Sequence, residues 1–218
     1  CIRDSGICDD VDDCTIPSGS GTAEDPYVIT CLGELDWVSQ NPSSWNSHFI
    51  QTQDIDASAT QYWDDSDDDG DGHPHNDAND LTSDGANEGF SPIGYATEPY
   101  FKGHYNGLNS KISGLYIDRL AAEFGVGLFG AVAPEPPASL GTPPTGFPGL
   151  IESVRLENVT VYGSRTTGAL AGKTNDGATI RQCSVIGGTV YGAWLTGGMI
   201  GQHVQSHISE CYTNVSVV

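Results

Sequence analysis

The densest set of potential metal ligands in the sequence is an aspartate run between residues 64 and 80, which holds eight aspartates. Within it, Asp65, Asp67 and Asp69 precede Gly70, which reproduces the D-x-D-x-D-G opening of a calcium loop. The twelfth position of that loop is Asn76 and not glutamate, so the pattern predicts a free-standing calcium loop instead of a complete EF-hand. The predicted Ca²⁺ ligands are Asp65, Asp67, Asp69, Asp71, Asn76, Asp77 and Asp80.

Other interpretations of the acidic run and of the histidines stay open. His73 and His75 lie beside the aspartates, and their imidazoles would suit a transition metal such as zinc. The run is also compatible with a solvated acidic loop, although its like charges repel one another when no cation is bound. His203 and His207 have the spacing of a zinc-binding helix pair, but Val204 stands where that motif has glutamate, and a turn is predicted there.

The six cysteines fall into two groups. Cys1, Cys8, Cys14 and Cys31 lie within 31 residues and predict a disulfide-stapled segment in an oxidising compartment, with three pairings open. A zinc site is the alternative, but the C-x-x-C spacing is missing. Cys183 and Cys211 lie at equivalent positions of a repeat, where we expect stacked free thiols in the core; a disulfide between them is the alternative.

The net charge of -21 belongs almost entirely to the N-terminal part of the chain. Residues 1–84 carry 18 Asp, 2 Glu and 1 Arg, whereas residues 85–218 carry 9 acidic and 7 basic residues. Such a surface repels phosphate backbones, so we expect no nucleic-acid partner. No apolar run approaches the ~18 residues of a membrane span. The cysteine usage, typical of an oxidising compartment, predicts an extracellular or cell-surface location.

An apolar triplet recurs in the C-terminal half at a nearly constant period. Ile151, Val154 and Leu156 are followed by Ile180/Cys183/Val185 and by Ile208/Cys211/Thr213, with steps of 29 and 28 residues between the isoleucines. Ile112/Leu115/Ile117 is assigned as a further copy. A glycine phrase accompanies the copies, at residues 127–130, 168–172 and 197–201, and is expected to form tight corners with positive φ. A period of this size predicts a solenoid of stacked strands.

The rest of the chain divides around this array. Residues 1–20 form a Cys/Asp-rich segment, residues 21–100 an N-terminal cap with the acidic insertion, and residues 101–218 the repeats with a Pro-rich insertion at 133–149. The apolar spacing of Leu32, Leu35 and Val38 predicts one short helix over 31–40, ended by Asn41-Pro42. An entry strand is predicted over 21–29 and a second strand over 49–56.

A set of short phrases occurs in a fixed order over residues 19–218. They are Gly21-Thr22, Asp25-Pro26-Tyr27, Asp54-Ile55-Asp56, Pro92-Ile93-Gly94, Phe101-Lys102-Gly103, Ile112–Ile117, Gly127-Leu128-Phe129-Gly130, Cys183-Ser184-Val185 and Cys211-Tyr212-Thr213. In this order they resemble bacterial surface proteins that carry GLUG-type repeats, named for a Gly-Leu-apolar-Gly phrase. The resemblance implies an all-β fold, a right-handed parallel β-helix in a secreted or surface-anchored, adhesin-like protein. The two insertions depart from the family pattern, and the Cys-rich start lies outside it.

Three functions are weighed on this basis. The first is a non-catalytic structural or adhesive module, stabilised by calcium, that contacts a carbohydrate or protein ligand on a surface. The second is a self-assembling fibre subunit, because the sequence ends inside a predicted strand with no polar capping repeat. The third is a polysaccharide-acting enzyme, disfavoured because the repeats carry no recurring carboxylate pair and no G-x-S-x-G elbow. Cys1 as a lipidated residue and Asn158 and Asn214 as glycosylation sites also stay open.

Overall fold

The computed structural model describes residues 16–63, 88–95, 99–120, 125–134, 149–175 and 177–218. Over these residues the chain is mostly β-structure in parallel sheets, with one α-helix and 3-10 helices at Pro42–Ser44 and Ser58–Tyr62. The first strands are β1 (Tyr27–Ile29), β2 (His48–Gln51), β3 (Ile55–Asp56), β4 (His104–Asn106), β5 (Lys111–Ser113), β6 (Tyr116–Arg119), β7 (Phe129–Val132) and β8 (Leu150–Glu152). The others are β9 (Arg155–Gly163), β10 (Thr166–Gly168), β11 (Ala171–Thr174), β12 (Thr179–Arg181), β13 (Ser184–Gly192), β14 (Leu195–Gly197), β15 (Ile200–His203), β16 (His207–Ser209) and β17 (Tyr212–Val217).

The single helix, α1, spans Leu32–Gln40, as the apolar spacing predicted. Leu32, Leu35 and Val38 are buried in the same apolar core as the strands. The helix ends where the side chain of Asn41 donates a hydrogen bond to the Trp37 carbonyl oxygen, just before the proline that cannot continue it. The strand predicted over 49–56 is two strands, β2 and β3, separated by three residues.

The strands pair with strands one repeat away in the chain. One six-stranded sheet has the order β1-β2-β4-β8-β12-β16, and a second has the path β17-β13-β9-β5-β3 with β6 also on β9. A three-stranded sheet, β15-β11-β7, and the pair β10-β14 complete the set, and the pairing between all these strands is parallel. Consecutive strands such as β8, β9, β10 and β11 therefore lie in different sheets, and the chain returns to the first sheet with β12.

The apolar triplets align in register across these sheets. Ile180 lies opposite Ile151 on one side and Ile208 on the other. Val185 lies opposite Leu156 and Thr213. Ile151, Leu156, Ile180 and Val185 are fully buried, so the aligned positions face the shared core. The predicted ladder of isoleucines is thus present.

The assignment of Ile112, Leu115 and Ile117 as a copy of that triplet is wrong in register. The residue opposite Ile151 is Tyr105, whereas Ile112 lies opposite Leu156 and Ile117 opposite Val161. The shift arises at the corner after β4, where Leu108 and Asn109 adopt positive φ angles of 49° and 61°. This corner is two residues longer than its counterpart between Ile151 and Leu156, so the spacing alone pointed to the wrong partner.

The glycine phrases also differ from their predicted role. Gly168, Gly172, Gly197 and Gly201 are not among the described glycines with positive φ, and each lies within a strand. Close packing explains them instead, because a Cβ atom at Gly172 would lie 2.3 Å from the Val126 amide nitrogen. These positions therefore require glycine because neighbouring backbones approach too closely for a side chain.

Candidate functional site

The seven predicted calcium ligands lie outside the described residues, as do His73, His75, Cys1, Cys8 and Cys14. Calcium binding by the acidic run and the disulfides of the N-terminal segment therefore stay predictions. Most of the Pro-rich insertion, 135–148, is also outside the described ranges. Cys31 is described and buried, forms no disulfide with another described cysteine, and has a pKa that is raised chiefly by burial.

Cys183 and Cys211 are brought together on neighbouring strands. The residues that follow them, Ser184 and Tyr212, are opposite each other in the β13–β17 pair, so the two cysteines are adjacent along the stack. Both are free thiols; Cys183 is 1% exposed and Cys211 is half-buried. Each thiol donates to a backbone carbonyl, Cys183 Sγ to Arg181 O and Cys211 Sγ to Ser209 O, both at 3.2 Å. The interaction between the two thiols, together with burial, raises the pKa of Cys183, and the same interaction lowers that of Cys211.

A charged network that sequence reasoning missed lies on the first six-stranded sheet, β1-β2-β4-β8-β12-β16. His104 Nε2 is 2.8 Å from Glu152 Oε1, and Arg181 Nε donates to Glu152 Oε2 at 2.7 Å. Glu152 is only 8% exposed. Burial alone would raise its pKa, but the hydrogen bonds from Arg181 and His104 together outweigh burial and lower it. The charge of this buried carboxylate is therefore compensated, and the network ties β4, β8 and β12 together.

The histidine next to this network, His48, is opposite His104 in the β2–β4 pair, and their ring centroids are 5.4 Å apart. Burial lowers the pKa of His48 and the neighbouring His104 lowers it further, while Glu24 acts in the opposite direction. Among the residues that the structure describes, no three His, Cys, Asp or Glu side chains are placed to hold one metal ion. His48, His104, Glu152 and Arg181 thus form a row of side-chain contacts across β2, β4, β8 and β12.

A stack of tyrosine rings follows the second six-stranded sheet. Tyr116, Tyr162 and Tyr191 occupy neighbouring strands, and the last two rings are parallel within 6° at a centroid distance of 4.5 Å. Burial and the adjacent acidic and tyrosine side chains raise the pKa of Tyr116 to about 12. The 29-residue step between Tyr162 and Tyr191 is the signal in the sequence that would have found this stack.

One open cavity of about 270 Å³ lies where the 3-10 helix at 42–44 meets the segment before β4. Its lining combines aromatic rings with amide, hydroxyl and ammonium groups. Trp45 in its wall is buried, and Tyr95 packs edge-on against it at 4.9 Å. The lining residues are Pro42, Ser43, Trp45, Asn46, Pro99, Tyr100 and Lys102.

His203 and His207, which have the spacing of a zinc pair, lie on different strands, β15 and β16. His203 Nδ1 is 2.5 Å from Ser206 Oγ, which in turn is 2.7 Å from Thr174 Oγ1. A serine hydroxyl hydrogen-bonded to an imidazole is one component of the catalytic sites that use a serine nucleophile. Because His203 and Ser206 are three residues apart at the surface, these bonds also close the turn between the two strands.

The comparisons with known proteins give two sequence relatives. Halomucin from Haloquadratum walsbyi is 33% identical over 183 residues, which is 84% of this chain and 2% of halomucin. A candidate Gly-rich membrane protein of Evansella cellulosilytica is 30% identical over 164 residues, 74% of this chain and 15% of that protein. The chain thus spans only a small part of each relative. No family model matches the chain.

Among solved structures, a candidate immunoglobulin A1 protease from Bacteroides ovatus is similar to this chain at 14% identity and a TM-score of 0.44. The match covers 91% of this chain and 79% of the protease chain. A similarity at that level carries no argument about activity. Within the described ranges, α1 is far too short to cross a bilayer, and no other helix there is long and apolar enough.

Proposed function

We propose that this chain is a non-catalytic, extracellular structural and adhesive module built on a right-handed parallel β-helix. The observation that carries the proposal is the register of Ile151, Ile180 and Ile208, which repeats the same parallel pairing over three successive turns of the chain. Such stacking gives a rigid rod whose core is continuous along its axis. The GLUG-type phrases and the similarity to halomucin and to a protein described as a membrane protein support a place at the cell surface.

The adhesive part of the proposal is located at the open cavity, and its proposed ligand is a carbohydrate. The ring face of Tyr100 suits the apolar face of a sugar, while Asn46 and Ser43 supply hydrogen-bonding groups. An uncharged glycan is favoured, because a protein with a net charge of -21 repels anionic polymers.

Calcium is the proposed cofactor of this module, held by the aspartates of the 64–80 run. Its role is structural, because alternating carboxylates repel one another until a cation neutralises them. The support is the D-x-D-x-D-G pattern of the sequence.

A glycan array scored both for retained ligand and for released product tests the function. We expect retention of uncharged glycans without turnover, and weaker retention by Tyr100→Ala. The control is Tyr62→Ala, which alters an exposed tyrosine outside the cavity lining. Product release would instead favour the polysaccharide-acting enzyme.

A fibre subunit is the second candidate function, because parallel strands paired in register can add an identical chain at a sheet edge. Electron microscopy of the purified chain separates the two, since filaments would support the fibre subunit and dispersed particles the adhesive module.

A further inference from the structure

The thiols of Cys183 and Cys211 make the same contacts one turn apart. The Sγ atom of each lies 3.2 Å from the carbonyl oxygen two residues earlier, Arg181 O for Cys183 and Ser209 O for Cys211. A second carbonyl oxygen, that of the ladder isoleucine one repeat earlier, is 3.9 Å from Cys183 Sγ and 3.8 Å from Cys211 Sγ. The two thiols are therefore related by one step along the stack, and both side chains point in the same direction.

This relationship sets the distance between the two sulfur atoms. Neighbouring strands of a sheet are about 4.8 Å apart, and atoms related by one step share that separation. A disulfide bond is only about 2.05 Å long, so both thiols would have to leave their carbonyl contacts and turn toward each other to form one. Two metal–sulfur bonds in line, each about 2.3 Å as in zinc thiolates, span about 4.6 Å. The spacing thus suits an ion between the thiols better than a direct bond.

The surroundings of the two thiols restrict the coordination number of such an ion. In the described part of the chain, no third His, Cys, Asp or Glu side chain is placed to join them. Zinc takes four ligands in structural sites, so this pair does not satisfy it. Soft metal ions prefer thiolate ligands, and those with a filled d shell accept two thiolates in a linear arrangement.

The surroundings also restrict the charge of the site. Cys183 and its ladder neighbour Val154 are each 1% exposed and belong to the apolar core, against which Cys211 packs. A net charge in such a place is costly when it is not compensated. A divalent ion held by two thiolates is uncharged. On binding, two S–H bonds break, two metal–sulfur bonds form and two protons pass to the solvent, with no change of oxidation state.

We propose that Cys183 and Cys211 form a binding site for one soft divalent metal ion, which their two thiolates hold in line between successive turns of the stack. The site needs only the parallel register of β9, β13 and β17, so it goes beyond the adhesive function and does not depend on it. Because the two thiols are brought together only in the folded chain, the bound ion stabilises the fold.

The test is the binding of mercury(II) to the full chain in the presence of excess N-acetylcysteine. This monothiol removes ions held by single cysteines, whereas two thiols on one rigid scaffold retain an ion through their high effective concentration. Native mass spectrometry counts the ions retained. We expect Cys183→Ala and Cys211→Ala each to retain one ion fewer than the parent, since either substitution destroys the pair. The control Val154→Ala, at the same ladder position without a thiol, should retain as many ions as the parent.

A pair moved by one turn separates the site from other effects of these substitutions. Val154 precedes Cys183 in the ladder: the Ser184 amide donates to Val154 O at 2.9 Å, just as the Tyr212 amide donates to Cys183 O at 3.0 Å. Val154→Cys combined with Cys211→Ala should therefore restore the missing ion. In the parent and in this double variant, mercury(II) should raise the Tm, and in Cys211→Ala it should not.

Equal ion counts in the parent, Cys183→Ala and Cys211→Ala would overturn the proposal. A disulfide between Cys183 and Cys211, found by peptide mapping of the purified chain, would also overturn it, because the thiols would then not keep the spacing of the strands. A loss of the ion in both single variants without its return in the double variant would contradict the one-step geometry on which the site depends. A lower Tm of the mercury-loaded parent would show that the ion binds the unfolded chain instead.

Discussion

Ile180 lies directly opposite Ile151 in parallel register, and both side chains are completely buried. The same position one repeat later, Ile208, has a partner on one side only among the described strands and is 43% exposed. The same isoleucine side chain is thus packed on both sides at residue 180 and on one side at residue 208. The contribution of the packing to stability can therefore be measured by comparing the two positions.

Replacing Ile180 by alanine removes buried contacts on both sides and leaves a cavity, so we expect a loss of about 2–5 kcal/mol in the free energy of unfolding. The matched variant Ile208→Ala should cost about 1 kcal/mol or less, because that side chain is already partly in water. Urea unfolding followed by circular dichroism measures both. Equal costs for the two variants would show that the ladder is not packed as described.

The buried carboxylate of Glu152 should make the free energy of unfolding depend on pH in the acidic range. The pKa of Glu152 is lower in the folded state, so its contribution is fully present above the unfolded pKa of ~4.3 and is lost as the pH falls through the folded value. Glu152→Gln should flatten this part of the stability profile and cost about 1.5–3 kcal/mol at neutral pH, since charge-assisted hydrogen bonds from Arg181 and His104 are lost.

The control for the acid profile is Glu210→Gln, which alters an exposed carboxylate whose hydrogen bond comes from the Gln182 side chain. This variant should retain the acid-dependent loss of the parent. If both glutamine variants gave the same profile between pH 5 and 3, the network around Glu152 would not be its source.

The two core thiols should differ in reactivity. Cys183 is buried and its pKa is raised, whereas Cys211 is half-buried and its pKa is lowered by the interaction with Cys183, so more thiolate forms at Cys211 near neutral pH. Iodoacetamide at pH 7 should modify Cys211 first. The variant Cys183→Ala should slow that reaction, because the interaction that lowers the pKa of Cys211 is removed; an unchanged rate would show that the two thiols do not interact.

Calcium removal tests the proposed role of the acidic run. If Ca²⁺ binds only the folded loop, saturation at 100 times Kd stabilises the protein by about 2.7 kcal/mol, so EDTA should lower its Tm. Asp67→Ala combined with Asp69→Ala should lower the Tm to the same value and abolish the EDTA effect. Asp25→Asn is the control, since this exposed aspartate lies outside the run. A Tm that is the same with calcium and with EDTA would remove calcium from the account.

The sequence was most informative where one residue type repeats at one spacing. The isoleucine ladder and α1 follow from apolar spacing alone, since burial on one face needs nothing else. The register of Ile112 did not follow, because two extra residues in the corner at Leu108 and Asn109 change the partner without changing the pattern.

The polar sites were harder to foresee for a related reason. His104 and Glu152 are 48 residues apart in the chain, and Glu152 and Arg181 are 29 apart. His104 lies on β4 and Glu152 on β8, which are neighbours in the sheet although they are not consecutive in the chain. Only the strand register brings these three together. The glycines were assigned to positive φ from residue type, whereas at Gly172 the determining factor is a backbone from another part of the chain.

The most direct test of the account is a measurement of the hydrogen bonds between strands one repeat apart. The amide of Ser184 donates to the Val154 carbonyl at 2.9 Å, and the amide of Tyr212 donates to the Cys183 carbonyl at 3.0 Å. NMR couplings through these two hydrogen bonds, with the sequential pattern of a parallel ladder, are the predicted result. Couplings that pair these strands in antiparallel order, or with partners at another separation, would contradict the proposed β-helix.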